Sequence, residues 1–239
     1  TQKLEKEFQK KFSAKDVLRM DADTTSRKNS HQEILDKFRR REANVLLGTQ
    51  MISKGLDFPD VTLVGVIAAD TSLNLPDFRS AERTFQIIAQ VSGRSGRGNK
   101  TGRVIVQTYS PEHYSIEYAR CHDYKGFYNK EITLRKELGY PPFFSIANII
   151  ISGTSEEEVI AYANELSKFL DEALKGHKDA EKLGPAAAAI SRIKNRFRWQ
   201  ILIKSKGEEV LRKVLTDLSE AYGEGRSNVS ISMDLNPQS

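Results

Sequence analysis

Cysteine is nearly missing from this chain. One residue, Cys121, stands among 239, so neither an internal disulfide nor a cysteine-rich zinc site can form, and a reducing interior is the natural compartment. Cys121 itself is expected to be an inert buried or half-buried side chain. Long apolar runs are missing too. No stretch approaches the roughly 20 apolar residues that span a bilayer, and the opening Thr1-Gln-Lys-Leu-Glu-Lys6 lacks the apolar run of a secretion signal. The expectation is a soluble, intracellular protein with no membrane partner. There is no initial methionine, and the chain starts inside an amphipathic pattern with Leu4, Phe8 and Phe12 four apart, which reads as an excised fragment. A complete phosphate-cradling loop is also lacking. Gly93-Arg-Ser-Gly-Arg-Gly-Asn-Lys-Thr101 nearly matches Gly-x-x-x-x-Gly-Lys-Thr, but Asn99 is inserted. A true loop joins a strand to a helix, whereas Lys100-Thr-Gly102 precedes a strand, so Gly98 to Gly102 reads as a turn. The four histidines, His31, His113, His122 and His177, have no metal-ligand spacing.

What is present suffices for two compact domains of ordinary size. Lys and Arg number 37 against 32 Asp and Glu, a net charge of +5; this suits a polyanionic partner but is too modest to identify one. Up to about residue 110, short apolar runs alternate with helical patterns, as a parallel α/β sheet requires. Residues 17–20, 45–47, 63–68 and 104–107 are the strand candidates. Helices are expected over 30–41, with Ile34, Leu35 and Phe38 on one face, and over 80–91, with Phe85, Ile88 and Val91 likewise. In such sheets ligands gather at the carboxyl ends of the strands. Residues 111–138 are polar, aromatic and helix-compatible, until Gly139-Tyr-Pro-Pro142 stops the pattern, because proline restricts its predecessor and lacks a backbone donor. The domain boundary is placed here. Beyond it the pattern is strand 145–151, helix 155–174, strands near 187–193 and 198–203, helix 208–221 and strand 229–233. That order, βαββαβ, is the ferredoxin-like split arrangement. Glu156-Glu-Glu158 falls in a first helical turn, where carboxylates complement the helix dipole, so it is not read as a metal site.

Two segments about forty residues apart carry the chemistry. In Gln90-Val-Ser-Gly-Arg-Ser-Gly-Arg97, Gly93 and Gly96 would let the backbone turn tightly and Gln90 could orient a water or a nucleotide. Arg94 and Arg97 could approach a terminal phosphate, for which a fixed guanidinium fork suits better than lysine. A merely structural loop needs neither the arginines nor their spacing. Upstream, Gly48-Thr-Gln-Met-Ile-Ser-Lys-Gly-Leu-Asp-Phe-Pro59 places Thr49 directly after a strand, where its hydroxyl and amide could meet a phosphate of a bound strand. Asp57 could accept a hydrogen bond from a ribose hydroxyl; alone it would read as an Asx turn. Together the segments suggest half of a nucleoside-triphosphate-driven motor acting on nucleic acid. In the second domain, Ile190 to Lys206 is basic with no acidic residue. On extended backbone Arg196, Arg198 and Gln200 share one face and Phe197, Trp199, Ile201 and Ile203 the other. This fits a phosphate track, a dock for an acidic peptide, or simply solvated arginines on an exposed sheet.

These motifs, with Arg19-Met-Asp-Ala-Asp-Thr24, Pro76-Asp-Phe-Arg-Ser-Ala-Glu-Arg83, Gly139-Tyr-Pro-Pro-Phe143, Gly184-Pro185, Arg196-Phe-Arg-Trp-Gln200 and Asp234-Leu-Asn-Pro237, closely resemble the PriA family of bacterial primosomal replication-restart helicases, a branch of superfamily 2. The likeness runs nearly end to end. It implies a RecA-like helicase lobe 2 over 1–120, a helical linker over 121–142, and a carboxy-terminal α+β domain over 143–239 that binds DNA or protein partners. It implies ATP-dependent 3′ to 5′ unwinding of DNA in replication restart and primosome assembly, in the bacterial cytoplasm near the nucleoid. Gly48 to Pro59 would be the fifth helicase motif and Gln90 to Arg97 the sixth. On that carry-over Arg94, Arg97 and Gln90 are catalytic, Asp57 and Gly55 join the arginines in meeting nucleotide, and Thr49, Gln50 and Lys54 contact DNA. Arg192, Lys194 and Arg198 are then candidates for DNA phosphates, and Arg196 and Gln200 for the acidic tail of single-stranded DNA-binding protein. The expected partners are forked or branched DNA, that protein and other primosome proteins. ATP with magnesium would be held mainly by a first lobe, whose phosphate loop and acidic metal-binding motif this chain lacks; the family's zinc ligands are absent too. The chain alone is expected to be inactive. The competing readings are a lobe of another, RNA-directed superfamily 2 helicase, or a non-enzymatic binding module.

Overall fold

Local pattern becomes local structure directly in the first part of the chain. The fold is that of a computed structural model, whose described residues are 1–12, 17–21, 24–25, 30–49, 52, 58, 60–93, 102–223, 225–226 and 228–237, the side chains of 12 and 225 excepted. They form two compact units: Thr1–Asn74 with Arg79–Phe127, and Leu75–Phe78 with Tyr128–Ser239.

In the first unit, helix Gln2–Phe12 (α1) precedes strand Val17–Met20 (β1), helix Ser30–Arg39 (α2) and strand Val45–Gly48 (β2). The strands pair in parallel with Val17 opposite Val45 and Met20 opposite Gly48, and α2 provides the crossover that parallel pairing needs. Met20 and Leu35 are buried, with Ile34, Leu46, Ile52 and Phe58 against them; Phe58 meets Phe38 edge-on at 4.9 Å. Strand Leu63–Val66 (β3), the short helix Asp70–Leu73 (α3), helix Ser80–Ser92 (α4) and strand Arg103–Val106 (β4) follow. β3 and β4 are again parallel, Leu63 opposite Arg103. The expected parallel architecture is therefore present, as two separate two-stranded sheets. Between them lies a groove of about 870 Å³, lined by Val45, Leu46 and Leu47 of β2 and Leu63, Val64 and Gly65 of β3. Successive strand residues point to opposite faces, so three in a row can line a groove only along a strand's edge.

Residues 111–138 form two helices, Tyr114–Arg120 (α5) and Tyr124–Glu137 (α6). The break falls at Cys121 to Asp123, where His122 takes φ +52°. Cys121 is exposed, contrary to the buried or half-buried position expected; a helix-capping residue at a break has no core to enter. Phe85 and Ile88 of α4 pack on Ile116, Ala119 and Phe127, with Phe85 and Phe127 stacked at 4.2 Å.

The second unit is built on strand Ser145–Gly153 (β5), helix Glu156–Ala173 (α7), strands Ala180–Ile193 (β6) and Arg196–Ser205 (β7), helix Glu208–Tyr222 (α8), the two-residue strand Gly225–Arg226 (β8) and strand Val229–Leu235 (β9). The βαββαβ order expected is observed, with β8 added. The sheet runs β6-β7-β5-β9-β8, antiparallel throughout. Ser155 caps α7 by accepting from the Glu158 amide at 3.4 Å, and Glu156, Glu157 and Glu158 occupy the first turn. Two boundaries differ from the sequence pattern. β6 starts at Ala180, since an edge strand tolerates Gly184-Pro185 at an irregularity, here between Leu183 and Ala186. Gly184 itself, at φ +97°, lies where a Cβ would come within 2.8 Å of the Gln200 carbonyl, so no other residue fits. β7 starts at Arg196, because Lys194 and Asn195 alone make the turn at φ +47° and +61°; positive φ at both central residues matches the strand twist.

One face of this sheet is closed by α7 and α8. Ala147, Ile149, Ile151, Val159, Leu166, Leu170, Ile201, Ile203, Leu211 and Leu218 are fully excluded from water. Leu166→Ala should lower the stability of this unit by about 2–5 kcal/mol through lost burial and a residual cavity, read as a shift of the urea midpoint.

Candidate nucleotide and nucleic-acid site

At the carboxyl ends of β1 and β2 the pairing of Met20 with Gly48 brings Asp21 and Thr49 to the same edge. Asp21 is buried. Its carboxylate accepts from the Thr24 amide at 3.2 Å and pairs with Arg19 at 3.1 Å, while its own amide donates to the Thr24 hydroxyl at 2.9 Å. Burial pushes this carboxyl up, but hydrogen bonds from Thr1 and Thr24 and the Arg19 charge outweigh it and hold it below its ordinary value. Arg19 also reaches Glu5 of α1 at 3.0 Å. Gly48 is sterically required, for a Cβ there would meet Ile52 at 2.6 Å and the Met20 carbonyl at 2.7 Å. Thr49 is exposed, and its carbonyl accepts from the Ile52 amide at 3.2 Å. Gln50, Lys54, Gly55 and Asp57 lie outside the described residues.

A second carboxylate, not singled out from sequence, ties the exits of β3 and β4. Asp70 is 8% exposed and accepts from the Thr108 hydroxyl at 2.9 Å and from the Tyr109 amide at 3.2 and 3.1 Å. Burial alone would raise its pKa, yet the Thr108 hydroxyl and the backbone donors bring it below its ordinary value. Its position at the end of an apolar strand run was the available signal.

Gln90 is exposed on the last turn of α4. Thr49 follows the carboxyl end of β2, as the sequence reading has it. Gly93 caps α4 at φ −72°, ψ 0°, and a Cβ there would make only ordinary contacts at 3.7 Å. The tight turn expected to need Gly93 is thus open to other residues, since its φ is negative. Gly96, Arg94 and Arg97 lie outside the described residues.

In the second unit the register decides which basic side chains share a face. Arg196, Arg198 and Gln200 are half-buried and stand on the face opposite α7 and α8, with Ser152 opposite Arg198 and Ile150 opposite Gln200. Arg196 Nη2 donates to the Ser152 carbonyl at 2.7 Å and to Ser230 Oγ at 3.0 Å. Arg198 donates to the Ile190 carbonyl at 3.3 Å. Arg192 pairs with Phe197 and lies over its ring at 4.8 Å, which puts it on the opposite parity to Arg198. Lys194 is exposed at the hairpin tip. Arg192, Lys194 and Arg198 are therefore neighbours around one hairpin end, not a row on one face. Among the described residues no three His, Cys, Asp or Glu side chains are grouped so as to hold a metal, and no helix is long and apolar enough to cross a membrane.

Comparison with known proteins gives the class first. Residues 1–99 match the family described as helicase conserved C-terminal domain, and residues 136–238 the one described as primosomal protein N C-terminal domain. The chain is 47% identical over 99% of its length to the replication restart protein PriA of Bacillus subtilis, covering 29% of that protein. It is 43% identical over its whole length to that of Synechocystis, covering 28%, and 33% identical to that of Haemophilus influenzae, covering 32%. The chain belongs to the PriA replication restart protein family, and spans a little under a third of the length of these curated relatives.

The depressed pKa of Asp70 has a definite sign. A carboxylate held below its ordinary value of 3.8 contributes stability that is present above the unfolded pKa and lost as pH falls through the folded one. Asp70→Asn should lower the melting temperature at pH 7 and flatten its decline between about pH 5 and pH 2. Parallel wild-type and variant curves over that range would exclude the carboxylate as the source.

Proposed function

We propose that this chain is the second helicase lobe and carboxy-terminal domain of an ATP-dependent DNA helicase that unwinds 3′ to 5′ in replication restart and primosome assembly, in the bacterial cytoplasm near the nucleoid. The observation that carries the reading is the match of both parts of one chain to a helicase domain and a primosomal domain, with high identity to replication restart proteins across almost its full length. A first lobe outside these residues would hold ATP with magnesium, the anhydride whose cleavage supplies the energy. Arg94 and Arg97 would approach its terminal phosphate and stabilise charge on the transferring phosphoryl, with Gln90, Gly55 and Asp57 beside them. Thr49, with Gln50 and Lys54, would hold a DNA strand at the carboxyl edge of β2.

For the second unit, the open sheet face supports two binding roles. Arg196 is anchored through Nη2 to Ser152 and Ser230, which orients the rest of its guanidinium, and Gln200 lies about 13 Å further along the same strand face. The pair suits the acidic tail of single-stranded DNA-binding protein, whose carboxylates would meet a preoriented fork. Arg192, Lys194 and Arg198 around the hairpin end would attract the phosphates of forked or branched DNA and other primosome proteins would assemble around that complex.

In the full-length protein Arg97→Ala should abolish unwinding and reduce ATP turnover by about 10³-fold or more; near-normal turnover would remove the arginine assignment. The 239-residue chain alone should show no DNA-stimulated turnover. Trp199, the only tryptophan, packs beside the core under this strand and reports on both roles. Its fluorescence should respond to forked DNA with steep salt dependence and to an acidic tail peptide with a shallower one. No response and no binding would leave the basic strand a solvated surface.

A further inference from the structure

Both strand pairs of the first unit have an open edge on the same groove. The Thr62 carbonyl accepts from the Arg103 amide and the Val66 carbonyl from the Gln107 amide, each at 2.8 Å. Backbone groups alternate sides along a strand, so Thr62, Val64 and Val66 are turned toward β4, and Leu63 and Gly65 present their N–H and C=O groups to the other side. Among the described residues no partner meets them there. The edge of β2, Val45 to Leu47, lines the same groove. Parallel strands are ordinarily covered on both faces, yet Leu63 is 58% and Ile105 53% exposed, and a Cβ on Gly65 would meet nothing within 4 Å. Short apolar strands with open edges are a template for one more strand.

The path of α1 shows where that strand would come from. Thr1, the residue ahead of the helix, hydrogen-bonds Asp21, and Asp21 directly follows the carboxyl end of β1. The chain therefore enters α1 at the carboxyl edge of the β1 and β2 pair. Further along α1, Phe8 lines the groove, so the helix runs beside it. A strand that ends at this edge just ahead of Thr1 runs parallel to β1 and β2, and α1 is then the crossover helix that a parallel return to β1 needs. Of the described strand edges in this unit, only the groove would give it a partner on each side.

We propose that the groove is filled by a strand of about four to six residues from the segment immediately ahead of Thr1 in the longer protein. It pairs with β2 on one side and β3 on the other, joining the two separate sheets into one with the order β1-β2-inserted strand-β3-β4. The matched part is 29% of the Bacillus subtilis protein, so such a segment has chain to draw on. A small apolar ligand would cover the side chains but leave the Leu63 and Gly65 backbone groups buried and unpaired, which is unfavourable; a strand pairs them. Covered on both faces, the segment should read as a near-continuous run of Val, Ile or Leu. Its turn into α1 completes the edge on which Thr49 stands. The proposal stands on backbone geometry and is independent of the nucleotide and DNA roles.

The test is residue-resolved amide hydrogen exchange on the full-length protein, on the 239-residue chain, and on that chain extended by about ten native residues ahead of Thr1. Exchange at Leu63 and Gly65 should be slowed about 100-fold or more in the full-length protein relative to the 239-residue chain, and the extension alone should recover that protection. Val64, whose backbone is turned to β4, serves as the internal control and should be protected throughout. An extended chain no better protected at Leu63 and Gly65 than the 239-residue chain overturns the proposal, whatever fills the groove in its place. Protection that grows with protein concentration points to a second copy and also overturns it. Should the 239-residue chain fail to fold, a full-length variant with proline at the centre of the segment decides: faster exchange at Leu63 and Gly65 with Val64 still protected is expected, because proline removes a ladder donor, and unchanged protection overturns the proposal.

Discussion

The antiparallel pairing of β5 with β7 on one side and β9 on the other governs the whole second unit, because it fixes the parity of every side chain across three strands. Ile149 stands opposite both Ile201 and Met233, and Ile151 opposite both Trp199 and Ile231. These odd-numbered positions face α7 and α8 and make the core. The even-numbered positions have no choice but the other face, which is how Arg196, Arg198 and Gln200 come to stand together. A slip of one residue would carry the arginines into the core and the isoleucines out of it, so the register that stabilises the fold is also what displays the basic surface.

The first unit works by a different constraint. Its strands are four residues long and paired in twos, so packing alone gives little hold on what lies beyond them. At both strand exits a buried aspartate supplies that hold. Asp21 gathers Thr24 and Arg19, and Asp70 gathers Thr108 and Tyr109 across 38 and 39 residues of chain. Each carboxylate satisfies backbone or hydroxyl donors at the place where a parallel ladder leaves them unpaired. The conserved logic is electrostatic: a charged acceptor forms stronger hydrogen bonds than a neutral one and is favoured by them in its ionised form.

Much of this was legible from residue pattern. The period-two alternation in Phe197, Trp199, Ile201 and Ile203 located β7 and its buried face, and the apolar runs at 17–20, 45–47 and 63–68 located three parallel strands, the last of which ends at Val66. What escaped had physical reasons. Lys194-Asn195 is a poor turn signal, since lysine rarely takes positive φ, and only the pairing of Ile193 with Arg196 makes it a turn. Gly184-Pro185 and four alanines disguised β6, because an edge strand needs little β propensity when its neighbour supplies the ladder. Asp70 had only its place after an apolar strand run as a cue, and its partners lie 38 and 39 residues along the chain. Phe78 looked like part of a motif, yet its partners Arg135 and Tyr140 lie far along the chain, in the second unit to which Leu75–Phe78 also belongs. Arg94 and Arg97, the clearest signal in the sequence, fall outside the described residues, so the motif and not the geometry carries their assignment.

The proposed division of the basic hairpin into two roles has a basis in entropy. Binding through a long side chain costs about 0.5–1.5 kcal/mol when that chain must first be immobilised. Arg196 has been immobilised by folding, through Ser152 and Ser230, so a partner that fits its remaining donors meets a fixed target and gains directional hydrogen bonds. Lys194, exposed at a hairpin tip, offers no direction, only charge. A polyanion with many equivalent phosphates needs no direction, because each neutralised phosphate releases a counterion wherever the contact falls. A short acidic peptide has few charges and gains little from that release, so it depends on geometry. On that proposal the anchored arginine would suit the peptide and the lysine at the hairpin tip the nucleic acid, because one is held by folding and the other is not.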